Sequence, residues 1–135
     1  MFAGFFATPT VQKPAHLPER VVWREIETPF QGVGIAFPFL RGRVPVVANI
    51  MALSTDLGLD AAENWLYINY DCWAGEIDWV YGLGRRGAQA FGPFDEDNTS
   101  RTQATYLALM EAFGVGTDDA LNFAPFERGY WDIGG

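Results

Sequence analysis

The stretch from Trp65 to Leu83 constrains the fold more than any other part of the chain. Two runs rich in aromatic and β-branched residues, 65–72 and 76–83, flank Trp73-Ala74-Gly75, and this pattern predicts a β-hairpin. With Ala74-Gly75 as a two-residue loop, one face is apolar and collects Leu66, Ile68, Tyr70, Cys72, Ile77, Trp79, Tyr81 and Leu83. The other face collects Trp65, Tyr67, Asn69, Asp71, Trp73, Glu76, Asp78 and Val80. Because a slip of one residue would mix apolar and charged groups on both faces, we predict this register.

The remaining elements are predicted from periodicity and from glycine and proline positions. Strands are expected at 1–7, 20–27, 31–39 and 86–94, the last with a turn at Gly92-Pro93. Helical spacing predicts a helix at 45–57 that ends at Gly58, and a helix at 100–113 with a Ser100/Gln103 capping box and a stop at Gly114. Residues 60–63 are expected to form a turn or a single helical turn, and the apolar tail at 118–135 is expected to dock on the sheet.

These elements predict a single α+β domain. The expected architecture is an antiparallel sheet with a central hairpin at about 65–83, packed by helices at about 45–57 and 100–113. A chain of 135 residues corresponds to one domain and is long enough to bury a core.

Charge narrows the classes of partner. The net charge is −8, and the acids concentrate in the second half of the chain. Because nucleic-acid binding needs a basic stripe, we expect no nucleic-acid partner. The excess of acids is either a solvated face that keeps the protein soluble or a surface that meets a basic partner.

The chain also carries indications of its environment. It has no run of about 18 apolar residues, so no membrane-spanning helix is expected. The apolar start has no basic residue before Lys13, unlike a secretory signal. Cys72, the one cysteine, has no partner for a disulfide and fits a reducing compartment, so we predict a cytoplasmic protein.

The predicted register places Asp71 opposite Asp78, with Glu76 beside them. Like charges that face each other across a sheet are unfavourable. These three carboxylates could hold a hard cation, form a pair with split pKa values for acid–base catalysis, or bind the basic side chains of a partner. They could also point apart into water and have no function. Trp65, Tyr67 and Trp73 share this face, and tryptophan and tyrosine are frequent at binding hot spots, so partner binding is the preferred function. The alternative is that the tail or a helix covers the face and makes these aromatics ordinary core.

Catalytic chemistry has weak support. A nucleophilic dyad would need His16 beside Cys72, and a cysteine on an apolar face is more often a small buried hydrophobe. One cysteine and one histidine do not make a zinc site, and no hydrolase, kinase or dinucleotide signature is present. We therefore predict no catalytic residue, no metal and no cofactor.

The overall profile resembles, in composition, the small acidic antitoxin or immunity proteins that bacteria make against their own toxins. We predict an acidic protein-binding module, and the resemblance implies an inhibitor of this type that neutralises a toxin or another basic partner protein. Its expected contact residues are Trp65, Tyr67, Asp71, Trp73, Glu76, Asp78, Asp95, Glu96 and Asp97. The alternative is a small-molecule binding protein or enzyme whose curved sheet encloses a pocket lined by Tyr70, Trp79 and Tyr81. A self-associating subunit, such as a homodimer, is a third possibility.

Overall fold

Six antiparallel strands form one sheet in the computed structural model, which describes residues 1–39, 45–73, 76–127 and 129–131. The strands are β1 (Phe2–Thr8), β2 (Val22–Ile26), β3 (Gly32–Ala36), β4 (Asn64–Trp73), β5 (Glu76–Arg86) and β6 (Gln89–Glu96). Their order across the sheet is β2-β3-β1-β4-β5-β6. Strand β1 therefore lies between two units. The β2-β3 hairpin pairs with it through β3, and the three consecutive strands β4, β5 and β6 pair with it through β4.

Strand β1 shows why the sheet is covered on both sides. Phe5 and Phe6 point to opposite faces, and both are fully buried. A strand that is apolar on both faces is typical of the interior of a sheet with a layer of structure on each side. The apolar start of the chain is thus a central strand rather than an edge.

Three helices complete the fold among the described residues: α1 (Val47–Asp56), α2 (Thr102–Phe113) and α3 (Thr117–Leu121). The two predicted helices are confirmed, as are their glycine stops, because Gly58 and Gly114 have φ of 76° and 112°. The capping box is wrong: no side chain caps α2, and the Ser100 hydroxyl donates instead to Asn98 Oδ1 at 2.7 Å. A 3-10 turn at Leu59–Ala61 confirms the expected turn after α1.

Each face of the sheet has its own core. We call one the α2 face, because α2, α3 and the segment from Phe123 to Trp131 cover it. Its core side chains include Phe2, Phe6, Leu66, Ile68, Tyr70, Val80, Tyr106, Leu109, Met110, Phe113 and Phe123. We call the other the α1 face, because α1 and the proline-rich segment at 9–21 cover it. Its core side chains include Phe5, Val33, Ile35, Ile50, Leu57, Leu59, Trp65, Tyr67, Tyr81 and Leu83.

Helix α2 approaches β5 closely at Gly82. A Cβ built on this glycine would lie 2.2 Å from Leu109 Cδ2 and 3.0 Å from the Tyr67 carbonyl oxygen. Only a residue without a side chain leaves room for Leu109 at this point. The glycine thereby fixes how deeply α2 sits on the sheet.

The predicted α+β class, an antiparallel sheet with a central hairpin packed by two helices, is confirmed; the structure adds that α1 and α2 lie on opposite faces of the sheet. The docking of the tail is also confirmed up to Trp131, since Phe123 is buried and Phe126 and Trp131 pack on the α2 face, while 132–135 lie outside the described residues. The expected turn at Gly92-Pro93 is wrong. Both residues lie inside β6, where they form an irregularity opposite Leu83.

Candidate functional site

A β-bulge in the central hairpin decides which side chains share a face. The pairs Trp73–Glu76 and Cys72–Ile77 agree with the predicted register, and the loop residues 74 and 75 lie outside the described residues. The next pair is Asp71–Trp79, so Asp78 is an extra residue in β5. The prediction that Asp71 faces Asp78 is therefore wrong.

The bulge moves half of β5 to the other side of the sheet. Trp79, Tyr81 and Leu83 lie on the α1 face with Tyr67, whereas Tyr70 lies on the α2 face. The predicted register of the β4–β5 hairpin rests on one apolar and one polar face, but both faces of this sheet are covered. Because the sheet has a core on each face, aromatic residues are buried in either register. The alternation of apolar and polar residues therefore does not select one register over the other.

Two of the predicted contact aromatics are core residues. Trp65 is 2% exposed and Tyr67 is 9% exposed, because α1 and the turn at Leu59 cover them. The expectation that they share an open face is wrong, and the alternative of a helix-covered face is the one observed. The side chain of Trp73 lies outside the described part of the structure.

The structure brings Asp71, Trp79 and Asp95 together at the end of the α1 face. Asp71 pairs with Trp79 across β4 and β5, and Asp95 pairs with Tyr81 across β5 and β6. The indole Nε1 of Trp79 donates to Asp95 Oδ1 at 2.9 Å, and the rings of Trp79 and Tyr81 lie 6.3 Å apart. We call Asp71, Trp79 and Asp95 the acid–tryptophan row.

The other predicted acids are spread around the same end of the sheet. Glu76 lines a cleft on the α2 face. Glu96 contacts α2, with its Oε1 3.4 Å from Arg101 Nε. Asp97 is exposed beyond β6, and Asp78 sits in the bulge. The predicted acids thus share an end of the sheet but not a face.

The cleft on the α2 face, which we call the Cys72 cleft, has a volume of about 470 Å³ and lies between the hairpin, α2 and α3. Burial is the largest cause that raises the pKa of the Cys72 thiol; the N-terminal ammonium lowers it, and the carboxylates of Asp71 and Asp78 raise it, with a raised pKa as the net result. His16 belongs to the segment on the opposite face, so it does not activate this thiol. The Cys72 cleft therefore lacks the features of a thiolate nucleophile.

Buried polar groups along the Cys72 cleft are hydrogen-bonded within the fold. The Tyr106 hydroxyl donates to the Ala120 carbonyl at 2.6 Å, and the Thr102 hydroxyl donates to the Ile77 carbonyl at 2.5 Å. Burial raises the pKa of both Tyr70 and Tyr106 well above the usual 10. Both phenol hydroxyls are therefore neutral at physiological pH.

A second cleft lies on the α1 face, between α1 and strands β1 and β4. We call it the Asn69 cleft; its volume is about 490 Å³. Its described lining is Ala3, Phe37, Pro38, Pro45, Val46, Asn49, Ile50, Leu53, Tyr67 and Asn69. Asn69 is 6% exposed, and its Oδ1 is a buried acceptor without a hydrogen bond. A buried acceptor without a hydrogen bond from the protein is uncommon in folded proteins.

Trp79 and Asn69 belong to the observed sites but not to the predicted contact residues. The sequence predicts Trp79 on the buried face, because a bulge leaves no signal in the composition. Asn69 did leave a signal, since it is the one polar side chain within the run from Trp65 to Tyr70. The predicted pocket of Tyr70, Trp79 and Tyr81 is wrong, since these residues lie on opposite faces.

Among the described residues, no group of three or more histidine, cysteine, aspartate or glutamate side chains could hold a metal ion. Within the same residues, no helix has the length and apolar content needed to cross a membrane. The chain matches no protein-family model, no curated protein and no solved structure.

Proposed function

We propose that this protein binds a basic protein partner through the acidic end of its sheet, in the manner of an immunity or antitoxin-type inhibitor that neutralises its target. The observation that carries the proposal is the acid–tryptophan row, in which Trp79 lies between Asp71 and Asp95. The partner meets it in the cytoplasm, the reducing compartment that a lone cysteine fits.

Charge supports this assignment. Residues 71–80 contain three acids and no basic residue, and 95–97 add three consecutive acids. Arg101 contacts Glu96 in this group and the N-terminal ammonium acts on neighbouring Cys72, but the six acids of these two segments outnumber these positive charges. Such a surface speeds the encounter with a basic partner and favours it over acidic competitors.

Trp79 adds a partly exposed aromatic ring to the acidic surface, which an ordinary solvated acidic face would lack. Its side chain is partly exposed, and the hydrogen bond to Asp95 holds the indole in one orientation. An arginine or lysine of a partner can lie over such a ring and contact the flanking carboxylates at the same time. A fixed tryptophan also costs little ordering entropy on binding, which is why tryptophan is frequent at hot spots.

The test is affinity capture from source-cell lysate at low and high salt with three forms of the protein. The site variant is Asp71→Asn with Asp95→Asn, which removes two charges and keeps the side-chain shapes. The matched control is Asp56→Asn with Asp60→Asn; both positions are exposed, and Asp60 lies near Arg85 at the opposite end of β5. Thermal unfolding checks that all three forms are folded.

We expect one stoichiometric basic protein that the wild type and the control retain at low salt and release at high salt. The purified partner should bind the site variant about tenfold more weakly. Equal weakening by the control would show attraction to net charge alone and contradict the proposal. Unchanged affinity in the site variant would contradict it as well.

Self-association is a second partner option. Helix α1 and the residue before it expose Val46, Val47 and Met51 to solvent, and clustered apolar side chains of this kind occur at subunit contacts. Sedimentation at several concentrations distinguishes a homodimer from a monomer.

A further inference from the structure

The Asn69 cleft contains a polar pair that the fold leaves incomplete. Asn69 Nδ2 donates to the Tyr67 hydroxyl oxygen at 3.4 Å, while Asn69 Oδ1 accepts nothing. Both side chains are more than nine-tenths buried, and both line the cleft. Leaving a buried amide oxygen unpaired costs free energy that a bound group would recover.

Tyr67 adds a donor beside this acceptor. Its oxygen accepts from Asn69, and its own proton has no acceptor among the described residues. Burial is the largest cause that raises the pKa of Tyr67 above 10, so the hydroxyl keeps this proton at neutral pH. The pair therefore presents one acceptor and one donor next to each other.

The rest of the cleft sets the character of the ligand. Its described lining has no charged side chain, and Phe37, Ile50 and Leu53 provide apolar walls. A volume of about 490 Å³ falls in the range of small-molecule sites. A charged ligand would lose its hydration without gaining a counter-charge from these residues.

We propose that the Asn69 cleft binds a small neutral ring compound through an amide-type edge, whose N–H donates to Asn69 Oδ1 and whose C=O accepts from the Tyr67 hydroxyl. Neither side chain serves the acidic end of the sheet, so this proposal does not rest on the proposed protein partner. The ligand class is a lactam or cyclic imide with an apolar ring.

The test uses pairs of fragments that differ only in N-methylation. 2-Quinolone carries the N–H and C=O edge, and N-methyl-2-quinolone keeps the ring but lacks the donor; thymine and 1,3-dimethylthymine, in which both ring N–H groups are blocked, provide a second pair. Amide chemical shifts followed during titration give both affinity and location. We expect 2-quinolone to bind at least about tenfold more tightly than its methylated form and to shift Ala3, Val46, Asn49 and Ile50.

Protein variants test the same hydrogen bonds from the other side. Asn69→Leu keeps the side-chain size and should abolish the preference for the unmethylated fragment. Tyr67→Phe keeps the ring and should weaken both amide-edged fragments, which keeps the test valid if the leucine variant does not fold. Thr102→Val on the α2 face is the matched control and should leave binding unchanged.

Three outcomes would overturn the proposal. One is that neither fragment pair shows a preference for the unmethylated member, including the case in which nothing binds at about 1 mM. Another is that Asn69→Leu keeps the preference. The third is that the shifted residues surround the Cys72 cleft instead.

Discussion

The α1 face and the α2 face each contain a cleft beside the β4–β5 hairpin, and the two clefts differ in how their buried polar groups are paired. On the α2 face, the Thr102 and Tyr106 hydroxyls both donate to backbone carbonyls. On the α1 face, Asn69 Oδ1 is left without a partner. The α2 face thus uses these two hydroxyls within the fold, whereas the α1 face keeps an acceptor for the ligand proposed above.

The largest expected difference between the faces is in the cost of removing an apolar side chain. Leu109 is fully buried between α2 and Gly82, so Leu109→Ala should lower the free energy of unfolding by about 2–5 kcal/mol. Leu53 is partly exposed at the Asn69 cleft, and Leu53→Ala should cost less than about 2 kcal/mol. Chemical denaturation measures both values, and equal losses would remove the distinction between a sealed and an open layer.

Alkaline pH should act most strongly on the α2 face. Tyr70 and Tyr106 have pKa values raised by burial, so above pH 10 the unfolded chain loses protons that the folded protein keeps. Stability is therefore complete below pH 10 and falls above it, by about 1 kcal/mol per pH unit for each tyrosine.

Tyr106→Phe should flatten this alkaline loss, as measured by denaturation at a series of pH values. Tyr67→Phe on the α1 face is the comparison. The hydrogen bond from Asn69 partly offsets the raised pKa of Tyr67, so this variant should flatten the loss less. An identical slope in wild type and Tyr106→Phe would show that this hydroxyl is not buried as described.

The smallest expected change in the free energy of unfolding is for two replacements of a polar by an apolar side chain, one on each face. Thr102→Val removes a paired hydroxyl and leaves the Ile77 carbonyl without it, so it should cost about 1 kcal/mol. Asn69→Leu removes an orphan acceptor and one long hydrogen bond, so it should be neutral or stabilising by about 1 kcal/mol. Thermal unfolding of the two variants side by side gives the sign, and a clear loss for Asn69→Leu would mean that the amide oxygen is paired.

Sequence patterns predicted the elements well and their faces poorly. Helix spacing with the stops at Gly58 and Gly114 located α1 and α2, because these signals act within a few residues. The bulge at Asp78 shifts the pairing of β5, and the two sets of side chains that result pack against different layers. No local pattern in β5 encodes those contacts, so Trp79 and Tyr81 were assigned to the wrong face.

The candidate sites also divide into features that the sequence predicts and features that need the structure. The acids at one end of the sheet could be predicted from charge, since they lie within two short segments. Their separation onto different faces could not, because it follows from the bulge. The Asn69 cleft needed the structure, since α1 and β4 form it from distant parts of the chain.

The most direct test of the α1 face as a recognition face is a crystal structure of the protein with 2-quinolone. We expect the lactam edge in the Asn69 cleft, with its nitrogen about 3 Å from Asn69 Oδ1 and its oxygen about 3 Å from the Tyr67 hydroxyl. A structure in which a protein group donates to Asn69 Oδ1, or in which the fragment occupies the Cys72 cleft, would contradict the account.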